Sequence, residues 1–98
     1  MLLLGKLIVE NFKKKHSTSR KSLDAWVQLI EQNTFGTPQD LQDMFANKVY
    51  IVGEQIVFDV GGNKVRAITK IQYGSSIIVI THILTHSEYD KEKWKDKK

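Results

Sequence analysis

QIVFDVGGNKVRAITKIQY, residues 55–73, places two alternating runs of apolar and polar side chains on either side of a glycine turn. Alternation of this kind is typical of β-strands, and Gly61-Gly62-Asn63 tolerates the positive φ angles that a hairpin turn needs. The stretch therefore predicts an antiparallel hairpin. Tyr50 to Val52 predicts a strand before it. Residues 76–84, SIIVITHIL, are apolar on both faces and predict the central strand of the sheet.

Helical periodicity precedes these strands. Apolar residues recur three and four positions apart in three segments, as expected for helices that bury one side. Ser22 is the predicted cap of the second helix, and Thr37 followed by Pro38 predicts the start of the third. Leu2 to Leu4 predicts a short strand or a lead-in to the first helix. The apolar positions are Ile8, Val9 and Phe12, then Leu23, Trp26, Val27 and Ile30, then Leu41, Met44 and Phe45.

These elements predict one α+β domain. The 98 residues form a single domain of ordinary size, and no repeat or linker divides them, so the domain spans residues 1–98. Helices followed by antiparallel strands predict N-terminal helices packed on one face of the sheet.

Composition excludes several classes of site. The chain has no cysteine, and its three histidines, at positions 16, 82 and 86, show no metal-binding spacing. We therefore expect no disulfide, no metal and no cofactor. Leu2 to Leu4 is interrupted by Gly5 and Lys6 before a signal peptide could form, and no apolar run approaches a membrane span. A cytoplasmic location away from membranes is expected.

Charge is segregated along the chain, whose formal net charge is +4. Residues 6–21 carry six basic side chains against one acid, whereas residues 22–60 carry six acids against one lysine. Such segregation suggests a polyanionic partner or an acidic protein inhibitor. The alternative is that the lysine runs are simply solvated faces.

A row of cations follows one side of the strand that begins at Lys64. Strand parity places Lys64, Arg66 and Lys70 on the face opposite Val65, and this face is predicted to be uncovered and polar. On that parity, Arg66→Ala removes little packing and leaves the fold intact. His82 shares the parity of Ile78 and Ile80 on the next strand and is predicted to border the row.

His86 and Tyr89 add groups that can transfer protons. Thr85 is a predicted cap of a short C-terminal helix, in which His86 and Tyr89 share one side. Metal-free RNA cleavage needs a base for the ribose 2′-OH, cations for the crowded phosphorane and an acid for the leaving oxygen. However, a basic strand face is more often a binding surface, a histidine there is more often a cap, and a tyrosine is more often core.

Two stretches resemble the signatures of HigB-type toxins in the RelE superfamily. Residues 57–66, VFDVGGNKVR, are similar to the family wording V-F-N-I-x-G-N-K-x-R, and residues 85–90, THSEYD, are similar to T-H-x-E-Y-D. The second and third helices also occur in the family's order. Thr81 is a departure, because relatives often have arginine at this position.

The resemblance implies a RelE-like fold and the toxin of a type II toxin–antitoxin pair. Such toxins cut messenger RNA, commonly in the ribosomal A site and without metal, and are neutralised by a HigA-like helix-turn-helix antitoxin. A non-catalytic RelE-like module that binds the ribosome, RNA or an antitoxin is the alternative. The candidate catalytic residues are Arg66, Lys70, His86 and Tyr89, and the candidate RNA-binding residues are Asn63, Lys64, Gln72, His82, Lys13 and Lys14.

Overall fold

The protein is described by a computed structural model that covers residues 1–61 and 64–91. Five strands and four α-helices within these residues confirm the α+β prediction. In chain order they are β1 (Leu2–Leu4), α1 (Lys6–Lys15), α2 (Arg20–Gln32), α3 (Pro38–Phe45), β2 (Val49–Val52), β3 (Gln55–Val60), β4 (Val65–Gln72), β5 (Ile77–Thr85) and α4 (His86–Asp90).

The strands form one sheet in the order β1-β5-β4-β3-β2. All neighbours are antiparallel except β1, which runs parallel to β5. The hairpin register pairs Phe58 with Ala67, as the alternating pattern allows. The prediction that β5 is the central strand was wrong, because two strands, β3 and β2, lie beyond β4 on the other side and only β1 lies beyond β5, which leaves β4 in the middle. β5 is still flanked on both sides, which explains its apolar composition.

Helices α1, α2 and α3 cover one face of the sheet, which we call the core face. Phe58 lies at the middle of this core, with its ring 5.3 Å from that of Trp26 and 5.0 Å from that of Phe45. The opposite face, which we call the outer face, carries a small apolar cluster around Val57 and Ile68. The buried residues of the main core include Leu3, Val9, Phe12, Leu23, Ile30, Phe35, Leu41, Ile56, Ile78, Ile80 and Ile83.

Gly5 turns the chain from β1 into α1. Its φ is 90°, and a Cβ added there would lie 2.7 Å from the carbonyl oxygen of Ile80. Only glycine combines that backbone conformation with so close an approach. The short first strand and the first helix can therefore both pack against β5.

The sequence predicted the start of α3 correctly and the start of α2 incorrectly. Thr37 caps α3 as predicted, in a reciprocal capping box with Asp40. The prediction that Ser22 caps α2 was wrong, because a 3₁₀ turn over Ser17–Ser19 leads directly into the helix at Arg20. Arg20 and Lys21 are exposed and have high helix propensity, so α2 begins two residues before Ser22.

A β-bulge in β5 changes which side chains reach the outer face. Ile68 pairs with His82 and Thr69 pairs with Ile80, so Thr81 is the extra residue on β5. Residues on either side of a bulge differ in parity. Ile78 and Ile80 consequently point into the core, while His82 points to the outer face, and the prediction that they share a face was wrong.

No helix in the described part of the chain combines the length and the apolar character that crossing a membrane requires.

Removal of the Phe58 ring should cost the most stability of any single change in the core. Phe58 is fully buried between two aromatic rings, so Phe58→Ala is expected to lower the free energy of unfolding by about 3–5 kcal/mol. Ile51 is 50% exposed, and Ile51→Ala should cost well under half as much. Urea denaturation followed by circular dichroism measures both, and equal losses would contradict this description of the core.

Candidate functional site

The short helix α4 is fixed above the outer face by its first residues. Thr85 caps it in a reciprocal box: the backbone N–H of Glu88 donates to the Thr85 hydroxyl, and the Thr85 N–H donates to the Glu88 carboxylate. The backbone N–H of His86 donates to the carbonyl oxygen of Lys64 over 3.1 Å. The predicted cap is confirmed, and it places His86 and Tyr89 beside the first residues of β4.

Arg66 lies at the centre of the site and is only 5% exposed. Its guanidinium is 2.8 Å from the carboxylate of Asp59 and 3.0 Å from Nδ1 of His86, and it lies 5.3 Å from the ring centre of Tyr89. The prediction that this stretch of β4 faces solvent as an open cationic row was wrong at Arg66. Strand parity identified the correct face, but α4 folds over it.

Asp59 and Tyr50 extend the contacts of Arg66 across the sheet. The Tyr50 hydroxyl donates to Oδ2 of Asp59 over 3.0 Å. This hydrogen bond, helped by burial, raises the pKa of Tyr50, so the phenol stays protonated and acts as a donor. Neither residue is among the sequence-based candidates. The hairpin register was the available signal, because it sets Asp59 directly opposite Arg66.

His86 has a defined tautomer in this arrangement. A guanidinium carries donors only, so Nδ1 of His86 must accept from Arg66 and the proton of the neutral ring must lie on Nε2. Nε2 in turn is 3.2 Å from a carboxylate oxygen of Asp90. The ring, whose side chain is 49% exposed, thus lies between Arg66 on its Nδ1 side and Asp90 on its Nε2 side.

His82 lies on the same outer face, next to the bulge. The Thr81 hydroxyl donates to the carbonyl oxygen of Ile68 over 3.1 Å, and Nδ1 of His82 is 3.0 Å from the same hydroxyl oxygen. Two histidines therefore flank the small apolar cluster of Val57 and Ile68, one from β5 and one from α4.

The remaining candidates divide into two groups. Lys64, Lys70 and Gln72 are exposed on β4 or directly before it. Lys13 and Lys14 lie instead at the end of α1, which packs on the core face, and the structure does not bring them into the site. Asn63 lies outside the described residues.

Lys13 differs from Lys14 in its surroundings. Its ammonium is 2.6 Å from Asp24 and 3.0 Å from Glu10, and these two carboxylates, Asp24 first, raise the pKa of Lys13. Lys14 is exposed, and no ion pair is recorded for it among the described residues. The charge of Lys13 is thus matched within the protein, whereas that of Lys14 faces solvent.

Within residues 1–61 and 64–91, no three histidine, aspartate or glutamate side chains cluster so that they could hold a metal ion.

A family model for HigB toxins, described as the RelE-like toxic component of a toxin–antitoxin system, matches residues 19–92. The chain belongs to the HigB toxin family. It is thus the toxic component of a toxin–antitoxin system, and an antitoxin is its partner. The matched segment contains every candidate site residue from Asn63 to Tyr89 but not Lys13 or Lys14.

Three HigB relatives align over nearly the whole chain. The mRNA interferase HigB of Escherichia coli O6:H1 strain CFT073 is 29% identical over 93 residues, which are 93% of this chain and 90% of the relative. The mRNA interferase toxin HigB of Escherichia coli K12 is 26% identical over 92 residues, which are 92% of this chain and 88% of the relative. The mRNA interferase HigB of Shigella flexneri matches with the same figures.

Arg66→Ala should destabilise the fold, contrary to what strand parity alone suggests. The change leaves the Asp59 carboxylate, whose side chain is 11% exposed, without its cation, which typically costs on the order of 3 kcal/mol. Replacing both partners, with Arg66→Met and Asp59→Leu, should cost less than Arg66→Ala alone.

Urea denaturation of Arg66→Ala and of the double variant measures these differences. Lys64→Ala, at an exposed residue beside the same strand, is the control. If Arg66→Ala unfolds at the same urea concentration as Lys64→Ala, the buried ion pair does not stabilise the domain as described.

Proposed function

We propose that this toxin is an endoribonuclease that cleaves messenger RNA in the cytoplasm, on the ribosome and without a metal ion. The observation that carries the proposal is the grouping of two histidines, a tyrosine and several cations on the outer face of the sheet. The curated relatives are named mRNA interferases, which makes RNA the substrate to test first.

The proposed reaction is attack of a ribose 2′-oxygen on the adjacent phosphorus. A histidine accepts the 2′-OH proton, the new oxygen–phosphorus bond forms, and the bond from phosphorus to the 5′-oxygen breaks. The 5′-oxygen takes a proton from an acid, leaving a 2′,3′-cyclic phosphate and a 5′-hydroxyl end. These steps need proton transfer and cations, and the side chains of the outer face provide both.

Lys70 is the cation that we place against the scissile phosphate, because its ammonium is exposed on the outer face. Arg66 is enclosed by Asp59 and α4, so it contributes positive charge from beneath and orients His86. The N–H on Nε2 of His86, which faces Asp90 in the structure, is proposed to donate to a phosphate oxygen in place of that carboxylate, and Tyr89 is the proposed acid. Lys64, Gln72 and Asn63 are proposed to bind flanking nucleotides, with Lys13 and Lys14 attracting more distant phosphates.

The proposed antitoxin is a HigA-like protein with a helix-turn-helix, and the proposed place of cleavage is the ribosomal A site. The segregated charge supports both kinds of partner, since the basic surfaces suit RNA and attract an acidic segment of an inhibitor.

A non-catalytic module that binds the ribosome or its antitoxin is the second candidate function. The burial of Arg66 favours this non-catalytic function. Its guanidinium is paired with Asp59 inside the protein and is not exposed to a phosphate.

Lys70→Ala should separate these two functions. If Lys70 stabilises the phosphorane, its loss should reduce single-turnover cleavage of ribosome-bound mRNA by about 10²–10³-fold. Lys21→Ala is the matched control on α2 and should cleave like the wild type. Intact mRNA with the wild-type protein, on ribosomes and free, would favour the non-catalytic function.

Lys13 and Lys14 should differ in their effect on RNA affinity. Each phosphate contact on single-stranded RNA contributes a slope of roughly 0.7 to the plot of log affinity against log salt concentration. Lys14→Ala should reduce the slope by up to that amount, whereas Lys13→Ala should change it less because Asp24 and Glu10 already match its charge. Fluorescence anisotropy at several salt concentrations measures both slopes, and a larger change for Lys13→Ala would contradict this assignment.

A further inference from the structure

We infer that His82 is the base that accepts the 2′-OH proton and that Thr81 is the positioning residue that holds it in the required tautomer. This inference deepens the proposed function and rests on it. It is carried by the hydrogen bonds at the bulge of β5.

The Thr81 hydroxyl has a single proton, and the hydrogen bonds show where it goes. The carbonyl oxygen of Ile68 can only accept, so the Thr81 proton is directed to it. The lone pairs of the same hydroxyl oxygen then face Nδ1 of His82, 3.0 Å away, which must be the donor. The neutral ring of His82 therefore carries its proton on Nδ1 and its basic lone pair on Nε2.

His86 has the opposite arrangement. Arg66 donates to its Nδ1, so its lone pair is engaged by a permanent cation and its proton lies on Nε2. To accept a further proton, the ring would have to turn an N–H toward the guanidinium. His86 is therefore suited to donate a hydrogen bond, and His82 is suited to accept a proton.

The bulge explains why these groups occur together. Thr81 has no partner in the register between β4 and β5, so its backbone and hydroxyl are displaced from the regular ladder. A bulge of this kind re-aims the next side chain. It turns His82 onto the outer face, opposite Ile68, which stands between Arg66 and Lys70 on β4.

From this position His82 can accept the 2′-OH proton, and every bond and proton of the cleavage step is accounted for. Lys70 lies two residues after Ile68 on β4, roughly 7 Å along the strand, and His82 lies opposite Ile68 on β5. The two side chains are therefore diagonal neighbours across the strands and can reach a phosphate and its neighbouring 2′-OH at the same time. Nε2 of His82 takes the 2′-OH proton while the 2′-oxygen bonds to phosphorus. The phosphorus–5′-oxygen bond breaks, the 5′-oxygen takes the proton of the Tyr89 phenol, and solvent restores both groups.

The tautomers can be tested without any activity measurement. Long-range ¹H–¹⁵N correlation spectra of the folded protein, recorded near pH 8, distinguish Nδ1–H from Nε2–H rings. We expect His82 as Nδ1–H and His86 as Nε2–H. Thr81→Val should abolish the Nδ1–H preference of His82, Thr81→Ser should keep it, and Thr18→Val, at an exposed threonine, should leave it unchanged. A His82 ring protonated on Nε2 in the wild type would overturn the inference.

Single-turnover cleavage tests the catalytic role. His82→Gln should lose about 10²–10⁴-fold in rate, while His16→Gln, the matched control at the end of α1, should stay within a few-fold of the wild type. Thr81→Val should lose roughly 10–100-fold, the range seen when the orienting partner of a metal-bound histidine is removed, and Thr81→Ser should recover most of it.

The outcomes separate the two proposals. A wild-type protein that cuts RNA while folded His82→Gln cuts equally well would overturn the role of His82 and leave the proposed function standing. A wild-type protein that never cuts would overturn the proposed function, and the catalytic role of His82 would fall with it.

Discussion

The buried guanidinium of Arg66 is the constraint on which the outer face depends. A permanent cation removed from water must be matched by charge and hydrogen bonds, or the domain loses several kcal/mol. The matching groups come from two elements: Asp59 from β3, and His86 and Tyr89 from α4. One side chain thereby ties the short helix α4, which buries no residue of its own, to the middle of the sheet.

Much of the fold could be predicted because its signals are local. The hairpin, the three apolar helix faces and the Thr37 and Thr85 caps each depend on residues within a few positions of one another. The parallel pairing of β1 could not be predicted in the same way, because it depends on Gly5 meeting the carbonyl oxygen of Ile80 across the domain. Contacts so distant in the chain leave no periodic signal.

The site was predictable only as a list of residue types. Parity shows on which face of a strand a side chain lies, but it does not show what covers that face. Arg66 was thus placed correctly on β4 and wrongly in solvent, since α4 covers it. His82 reaches the outer face as predicted, but through a bulge at Thr81 that regular alternation cannot describe.

Threonine at position 81 has a specific physical role at that bulge. A cation at position 81 would add positive charge to the outer face, but it has no acceptor for the Nδ1–H of His82. Threonine supplies that acceptor because its one proton is already directed to the carbonyl oxygen of Ile68. Threonine at this position thus provides a hydrogen bond with a defined direction. As a consequence, the two outer-face histidines hold their protons on different nitrogens.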